Sequence, residues 1–171
     1  MARIEVDLMK NTEIERKYLV KYMPYKFYTY SHQELEQAYL SYGDGEDGLE
    51  KRVRLMRSGA TEHYFYTEKS AGTLSRDEYE IEIAKKEYLS LCNQALSKFV
   101  KKARYYIPIN EELVAELDVY HGELTGLVTV EVEFGSIEAS EDFTPPEWFG
   151  DEITEDIRYK NKNLAQNGKP E

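Results

Sequence analysis

Cysteine occurs once in the 171 residues, at Cys92. A single thiol excludes an internal disulfide framework and any metal site built from several cysteines. Proline (5) and glycine (10) are sparse and nowhere concentrated, so no Pro/Gly/Ser-rich linker, low-complexity tract or repeat divides the chain. No run approaches the roughly 18–20 uninterrupted apolar residues of a membrane span. The segment Met1–Asn11, with Arg3, Glu5, Asp7 and Lys10, lacks the apolar stretch of a secretory signal. Positive charge is also short: 22 Lys and Arg stand against 33 Asp and Glu, a net charge of −11. A field of that sign repels nucleic acid and the anionic cytoplasmic leaflet. The nucleophile-elbow, P-loop and dinucleotide-binding glycine motifs are absent. These absences leave a soluble, cytoplasmic, single-domain protein as the expectation, with neither nucleic acid nor a membrane as partner.

What is present suits a β-rich domain. Apolar residues at 41% and aromatics at 13% can build a core. Turn signals recur at Gly43–Gly48, Ser58-Gly59, Ser70-Ala71-Gly72, His121–Gly126 and Pro145-Pro146. Between them, period-two alternation predicts eight strands: Glu13–Val20, Leu35–Tyr42, Leu49–Arg57, Glu62–Ser70, Glu78–Ile83, Phe99–Ile107, Leu113–Tyr120 and Leu127–Phe134. An amphipathic stripe of Tyr88, Leu91, Cys92, Ala95 and Leu96 predicts a helix over Lys85–Ser97. Ile157–Gln166, behind the polar run Thr154-Glu155-Asp156, predicts a second, and a short third starts near Ser136.

Alternate side chains of a strand point to opposite faces. One face therefore carries Glu13, Glu15 and Lys17 on the first strand, Arg52 and Arg54 on the third, and Glu78, Glu80 and Glu82 on the fifth. It continues with Lys102 and Arg104, Glu116 and Asp118, then Glu131 and Glu133. An open antiparallel sheet could simply turn this face to water. Yet the charges are sorted by strand, and like charges two residues apart repel unless counter-charge lies between them. A closed barrel is the alternative, with a wet, ionised interior and apolar sides covered by outer helices. Arg and Lys would clamp a polyanion there. Clustered carboxylates would hold Mg²⁺ or Mn²⁺, hard cations that prefer oxygen.

Glu13-Ile14-Glu15-Arg16-Lys17 resembles the Glu-x-Glu-x-Lys signature of the CYTH superfamily, the triphosphate tunnel metalloenzymes. Further pieces follow in the family's order: Arg52-Val53-Arg54, Thr67-Glu68-Lys69, Ser75-Arg76, Lys102-x-Arg104, Glu116-Leu117-Asp118, Glu131-Val132-Glu133-Phe134 and Arg158-Tyr159-Lys160-Asn161. Pro145–Gly150 adds a Pro-Pro-x-Trp-Phe-Gly run like that of short bacterial inorganic triphosphatases. The resemblance spans about Thr12 to Ala165, giving a tunnel domain over 12–166, an N-terminal extension over 1–11 and a tail over 167–171.

The resemblance implies an α+β, mainly β fold: an eight-stranded antiparallel β-barrel tunnel with helices outside and a C-terminal helix closing one end. It implies a metal-dependent hydrolase acting on inorganic triphosphate. A cyclase, a thiamine or nucleoside triphosphatase, and a non-catalytic polyphosphate-binding module are the rival readings. Metal ligands implied are Glu13, Glu15, Asp118, Glu131 and Glu133. Substrate-binding residues implied are Lys17, Arg52, Arg54, Lys69, Arg76, Lys102, Arg104 and Lys160. Catalytic roles fall to Lys17 and Glu15, and to Tyr39, which matches a family tyrosine near the motif lysine and is otherwise one of 15 tyrosines packing a barrel. A homodimer is admitted by this reading. His32, His63 and His121 are expected at the surface, and Cys92 in helix packing.

Overall fold

The computed structural model describes residues 11–171; the expected extension lies outside the described residues except for Asn11, which opens the first strand. In chain order come β1 (Asn11–Val20), β2 (His32–Tyr42), β3 (Glu50–Ser58), β4 (Thr61–Lys69), β5 (Ser75–Ile83), α1 (Lys85–Cys92), β6 (Val100–Pro108), β7 (Val114–Tyr120) and β8 (Val128–Glu133). The chain ends with α2 (Ile137–Glu141), β9 (Phe149–Glu152), a 3₁₀ turn (Ile157–Tyr159) and α3 (Asn161–Asn167).

Eight strands run in the order β5-β4-β3-β2-β6-β7-β8-β1, and a β1–β5 pairing closes them into an antiparallel barrel. Strand β1 makes the closure by dividing one edge between two neighbours. Its first residues, Asn11–Ile14, pair with β5, while Tyr18 and Val20 pair with the ninth strand, β9. The sequence offers little signal for β9, because four residues in a Pro-Trp-Phe-Gly context are too few to show alternation.

Two of the three apolar clusters lie outside this barrel. The outward sides of β1, β6, β7 and β8 contribute Tyr18, Ile107, Leu117, Val130 and Val132, covered by Phe143, Trp148 and Phe149. Ala38, Val53, Leu55, Tyr64 and Ile83 form a second cluster beneath Tyr88 of α1. Tyr39, Val100 and Tyr120, on the inward sides of β2, β6 and β7, pack with Leu124, Leu127 and Leu164 into a third cluster, where α3 closes one end of the barrel. Burying a side chain of this size contributes about 1.5–3 kcal/mol, so the apolar outer faces hold the barrel closed around a polar interior. Arg16, between the charged residues of β1, points outward. It grips Glu152 through two hydrogen bonds (2.9 and 2.6 Å) and the Ser140 carbonyl (2.7 Å), fastening β9 and α2 to β1.

Two predicted helices are shorter than expected. Helix α1 stops at Cys92, because the chain beyond it docks on β2: Leu96 N–H donates to the Tyr39 carbonyl and Ser97 Oγ accepts from Tyr39 N–H. These contacts occupy Tyr39 at a β2–β3 register shift between Tyr39 and Ser41, a bulge of the kind that re-aims a side chain. The expected helix over Ile157–Gln166 is instead the 3₁₀ turn and α3, separated by Lys160 in extended backbone (φ −62°, ψ 136°). Asp156 caps the turn by accepting from Arg158 N–H.

Candidate active site

The barrel encloses a polar cavity of about 180 Å³, room for on the order of ten waters. Seven basic side chains (Lys17, Arg52, Arg54, Lys69, Arg76, Arg104, Lys160) and nine acidic ones (Glu13, Glu15, Glu50, Glu78, Glu80, Glu116, Glu131, Glu133, Asp156) line it. Tyr39 lies among them. An exposed sheet face is thereby excluded: Arg52, Arg54, Glu13 and Glu133 all turn inward to one space.

Strand register explains the crowding. Glu15 on β1 stands opposite Glu133 on β8, and Glu131 on β8 stands opposite Glu116 on β7. Facing like charges destabilise a sheet. The nearby Glu131 carboxylate, and then burial, push the Glu15 carboxyl up to about 8. Burial, with the Glu13 and Glu116 charges, also raises Glu133. Glu13 shares a hydrogen bond with Glu78; burial and that bond push Glu78 up to about 7. For Glu13, burial works upward but is outweighed by the Glu78 bond and Lys69, which hold it near 2. Lys69 Nζ bridges Glu13 (2.8 Å) and Glu78 (3.2 Å). Lys17 Nζ sits 3.5 Å from Glu131 and donates to the Tyr159 carbonyl at 2.7 Å.

On β3 the surroundings are mostly neutral. Arg52 has Tyr39 and Thr67 as cross-strand neighbours, and Arg54 has Gln37 and Phe65. Arg54 Nε donates to Gln37 Oε1 at 2.8 Å. Burial, followed by the Arg52 and Arg104 charges, lowers Arg54 to about 10. Arg52 Nη2 lies 3.6 Å from Glu80, while its buried Nε finds no acceptor among the described residues. The Tyr39 hydroxyl accepts from Gln37 Nε2 at 3.0 Å, and burial raises its pKa. The charges of Glu50, Arg52, Arg54 and Lys69 act on Tyr39, which lines the same cavity as Lys17. Arg76 pairs with Glu50 (3.2 Å) and donates to the Ser70 carbonyl.

Two expected site residues stand behind the wall. Lys102 and Asp118 have no exposed side chain (0% for both) and pair at 2.7 Å. Asp118 also accepts from Arg104 Nε (2.8 Å) and Nη2 (2.9 Å). Burial alone would raise the Asp118 carboxyl, but the Arg104 and Lys102 charges hold it well below the usual range. Its oxygens are held by those two cations, and it is not among the residues that line the cavity. Lys102, committed to Asp118, is likewise not in contact with the cavity.

Further cavity residues were not assigned from the sequence. Alternation puts Glu78, Glu80 and Glu116 on the charged side of their strands without giving them a role, and Glu50, two before Arg52, could have been found the same way. Glu82, on that same side, instead reaches outward to His63. Thr73, Thr154, Asp156, Tyr159 and Asn161 also line the cavity, but irregular segments give no periodic signal.

Among the described residues, no three carboxylate, imidazole or thiol groups already stand as a cation's ligand set. The chemistry of Glu13, Glu15, Glu131 and Glu133 nevertheless fits a hard divalent ion. All are oxygen donors on adjacent strands β1 and β8, and burial with the neighbouring carboxylates disfavours the ionised form of Glu15 and Glu133, which a cation would relieve.

No family model matches the chain. A Nitrosomonas europaea protein named inorganic triphosphatase is 45% identical over 154 residues, 90% of this chain and 97% of its own. An Acetivibrio thermocellus protein of the same name is 32% identical over 151 residues, 79% and 94% of the two chains. The crystal structure of the inorganic triphosphatase NE1496 matches with a TM-score of 0.64 and 40% identity, covering 90% of this chain and 93% of that one. The PH1819 protein from Pyrococcus horikoshii shares the fold at 19% identity and a TM-score of 0.56, over 75% and 81% of the two chains. With its closed barrel, its inward Glu-x-Glu-x-Lys strand and relatives matched over nearly their whole length, the chain belongs to the inorganic triphosphatase family of the CYTH superfamily.

Proposed function

We propose that the chain hydrolyses inorganic triphosphate in its cavity, releasing phosphate, with Mg²⁺ or Mn²⁺ as cofactor. The observation that carries this reading is the mismatch between walls: crowded carboxylates on β1 and β8, and on β3 a buried Arg54 with no carboxylate partner beside an Arg52 whose Nε has no acceptor among the described residues. A triphosphate with a divalent cation relieves both at once. The names of the two curated relatives support this choice of substrate.

Glu13, Glu15, Glu131 and Glu133 would hold the cation. When bound, it supplies Lewis-acid neutralisation of phosphate oxygens and a template for their placement. Arg52, Arg54, Lys69, Arg104 and Lys160 bind the chain of phosphates, with charge-assisted hydrogen bonds replacing the carbonyl and carboxylate partners they hold now. Tyr39, whose hydroxyl already accepts from Gln37, keeps its proton to donate into the site. Lys17 shares the inward side of β1 with Glu13 and Glu15 and reaches both the terminal phosphate and an attacking water. Transfer of this type asks the protein mainly for alignment and charge stabilisation, which these fixed side chains supply.

Purified wild type, Glu15→Gln and Arg54→Ala are assayed for phosphate release from inorganic triphosphate, thiamine triphosphate and ATP with Mg²⁺ or Mn²⁺. Wild type is expected to prefer inorganic triphosphate, and each variant to lose about 100-fold or more in kcat/KM. Rates within a few-fold of wild type in both variants would remove the proposal.

A further inference from the structure

One end of the cavity is crossed by residues 153–161, a strap running from β1 to α3. It is pinned on the β1 side, where Ile153 N–H donates to the Lys17 carbonyl at 2.8 Å and Lys17 N–H donates to Thr154 Oγ1 at 3.0 Å. On the β7 side, the Tyr120 hydroxyl donates to Asn161 Oδ1 at 2.7 Å. Between these anchors the strap meets the β4–β5 loop: Thr73 Oγ1 donates to Glu155 Oε2 at 2.7 Å, and Lys160 Nζ donates to the Gly72 carbonyl at 2.5 Å. The loop is built for this contact. Gly72 has φ +144°, and a Cβ there would stand 2.3 Å from the Ser75 carbonyl oxygen, so only glycine presents that carbonyl to Lys160.

We propose that this clasp, Thr73 to Glu155 and Gly72 to Lys160, determines specificity by confining the cavity to triphosphates that carry no organic group. The inference rests on the triphosphatase reading above. At the inner end of the arginine wall, Arg54 is tied to Gln37, and the buried Lys102–Asp118 pair backs Arg104. A phosphate bearing a nucleoside or thiamine substituent therefore has to lie toward the strap. There the substituent meets Tyr159 and Asn161 and must part the strap from the β4–β5 loop at the Thr73–Glu155 contact, which a bare triphosphate leaves in place. A bare terminal phosphate needs only Lys160 itself.

The test compares kcat/KM for ATP with that for inorganic triphosphate in wild type, in the Thr73→Val/Glu155→Gln double variant and in Gly72→Ala. None of the three positions belongs to the phosphate- or metal-binding set. The double variant is expected to keep inorganic triphosphate within about threefold and to raise the ATP ratio about tenfold, the scale of one lost charge-assisted hydrogen bond. Gly72→Ala is expected to raise the ratio further. The double variant decides the matter if Gly72→Ala also disturbs the adjoining Arg76. An active wild type with an unchanged ratio in both variants, or one that already cleaves ATP as well as inorganic triphosphate, overturns the clasp alone. Wild type that releases no phosphate from inorganic triphosphate overturns the functional reading and the clasp with it.

Discussion

Strands β6 and β3 carry the same pattern, Lys102-Ala103-Arg104 and Arg52-Val53-Arg54, and both turn their basic residues inward. Their electrostatics differ because their neighbours differ. On β6, Asp118 from the adjoining strand accepts from both cations, and Arg104 reaches Glu116 at 2.9 Å as well. Burial works against the Arg104 charge, yet Asp118 and Glu116 outweigh it and hold its pKa well above the ordinary value. On β3 the cross-strand partners are Tyr39, Thr67, Gln37 and Phe65. No carboxylate is the direct cross-strand partner of either arginine; burial lowers Arg54, whereas for Arg52 burial is outweighed by Tyr39 and by Glu80, 3.6 Å away, with Glu50 and Glu78. Identical spacing thus leaves Lys102 and Arg104 paired with Asp118 in one place and Arg54 without a carboxylate partner in the other. What distinguishes them is whether a carboxylate stands one strand away.

Removing the carboxylate that satisfies β6 should have the largest effect. Asp118→Asn leaves Lys102 and Arg104 buried without their counter-charge, which costs about 3–5 kcal/mol. Denaturant unfolding of the metal-free protein measures it, and a loss below about 1 kcal/mol would erase the distinction between the two strands.

A smaller effect belongs to the acidic wall. The Glu15 carboxyl rises from 4.5 to about 8 on folding, so the folded state binds its proton more tightly than the unfolded chain. That stabilisation is fully present below about pH 4.5 and is lost as pH rises through about 8. In chelator, the Tm should therefore fall by several degrees between roughly pH 5 and 8.5, less steeply with Mg²⁺ present. Glu15→Gln, which cannot ionise, should flatten the profile. A wild-type Tm independent of pH over this window contradicts the crowding.

The smallest change in stability is expected on β3. Arg54→Met gives up one hydrogen bond to a neutral amide and relieves repulsion from Arg52 and Arg104. Metal-free unfolding should stay within about 1 kcal/mol of wild type or become more favourable to the folded state. A loss as large as that of Asp118→Asn would mean that β3 is as structurally committed as β6.

Much of this was legible in the residues. Alternation placed Glu13, Glu15 and Lys17 on one side of β1 and Arg16 on the other, because a strand has no freedom to do otherwise. The same rule assigned Val53, Leu55 and Val132 to the outer core. It failed where the backbone is irregular. The strap, β9 and the bulge at Tyr39 are set by long-range hydrogen bonds to Lys17, Gly72 and Ser97, which no local pattern encodes. The split of the C-terminal helix at Lys160 has the same origin: an extended residue lets Nζ reach Gly72, 88 positions away in sequence. Alternation also could not separate Asp118 from Glu116. Both point inward on β7, but depth along the barrel and the register against β6 give one to Lys102 and Arg104 and leave the other lining the cavity.

By itself, then, the sequence determined strand faces, the inverted placement of charge and the class of ligand those charges suit, since side-chain direction in a strand follows from covalent geometry. Only the tertiary structure decided which charges are spent on one another and which remain available. Ion pairing falls off over a few ångströms, and those distances are fixed by how the strands register around the closed barrel.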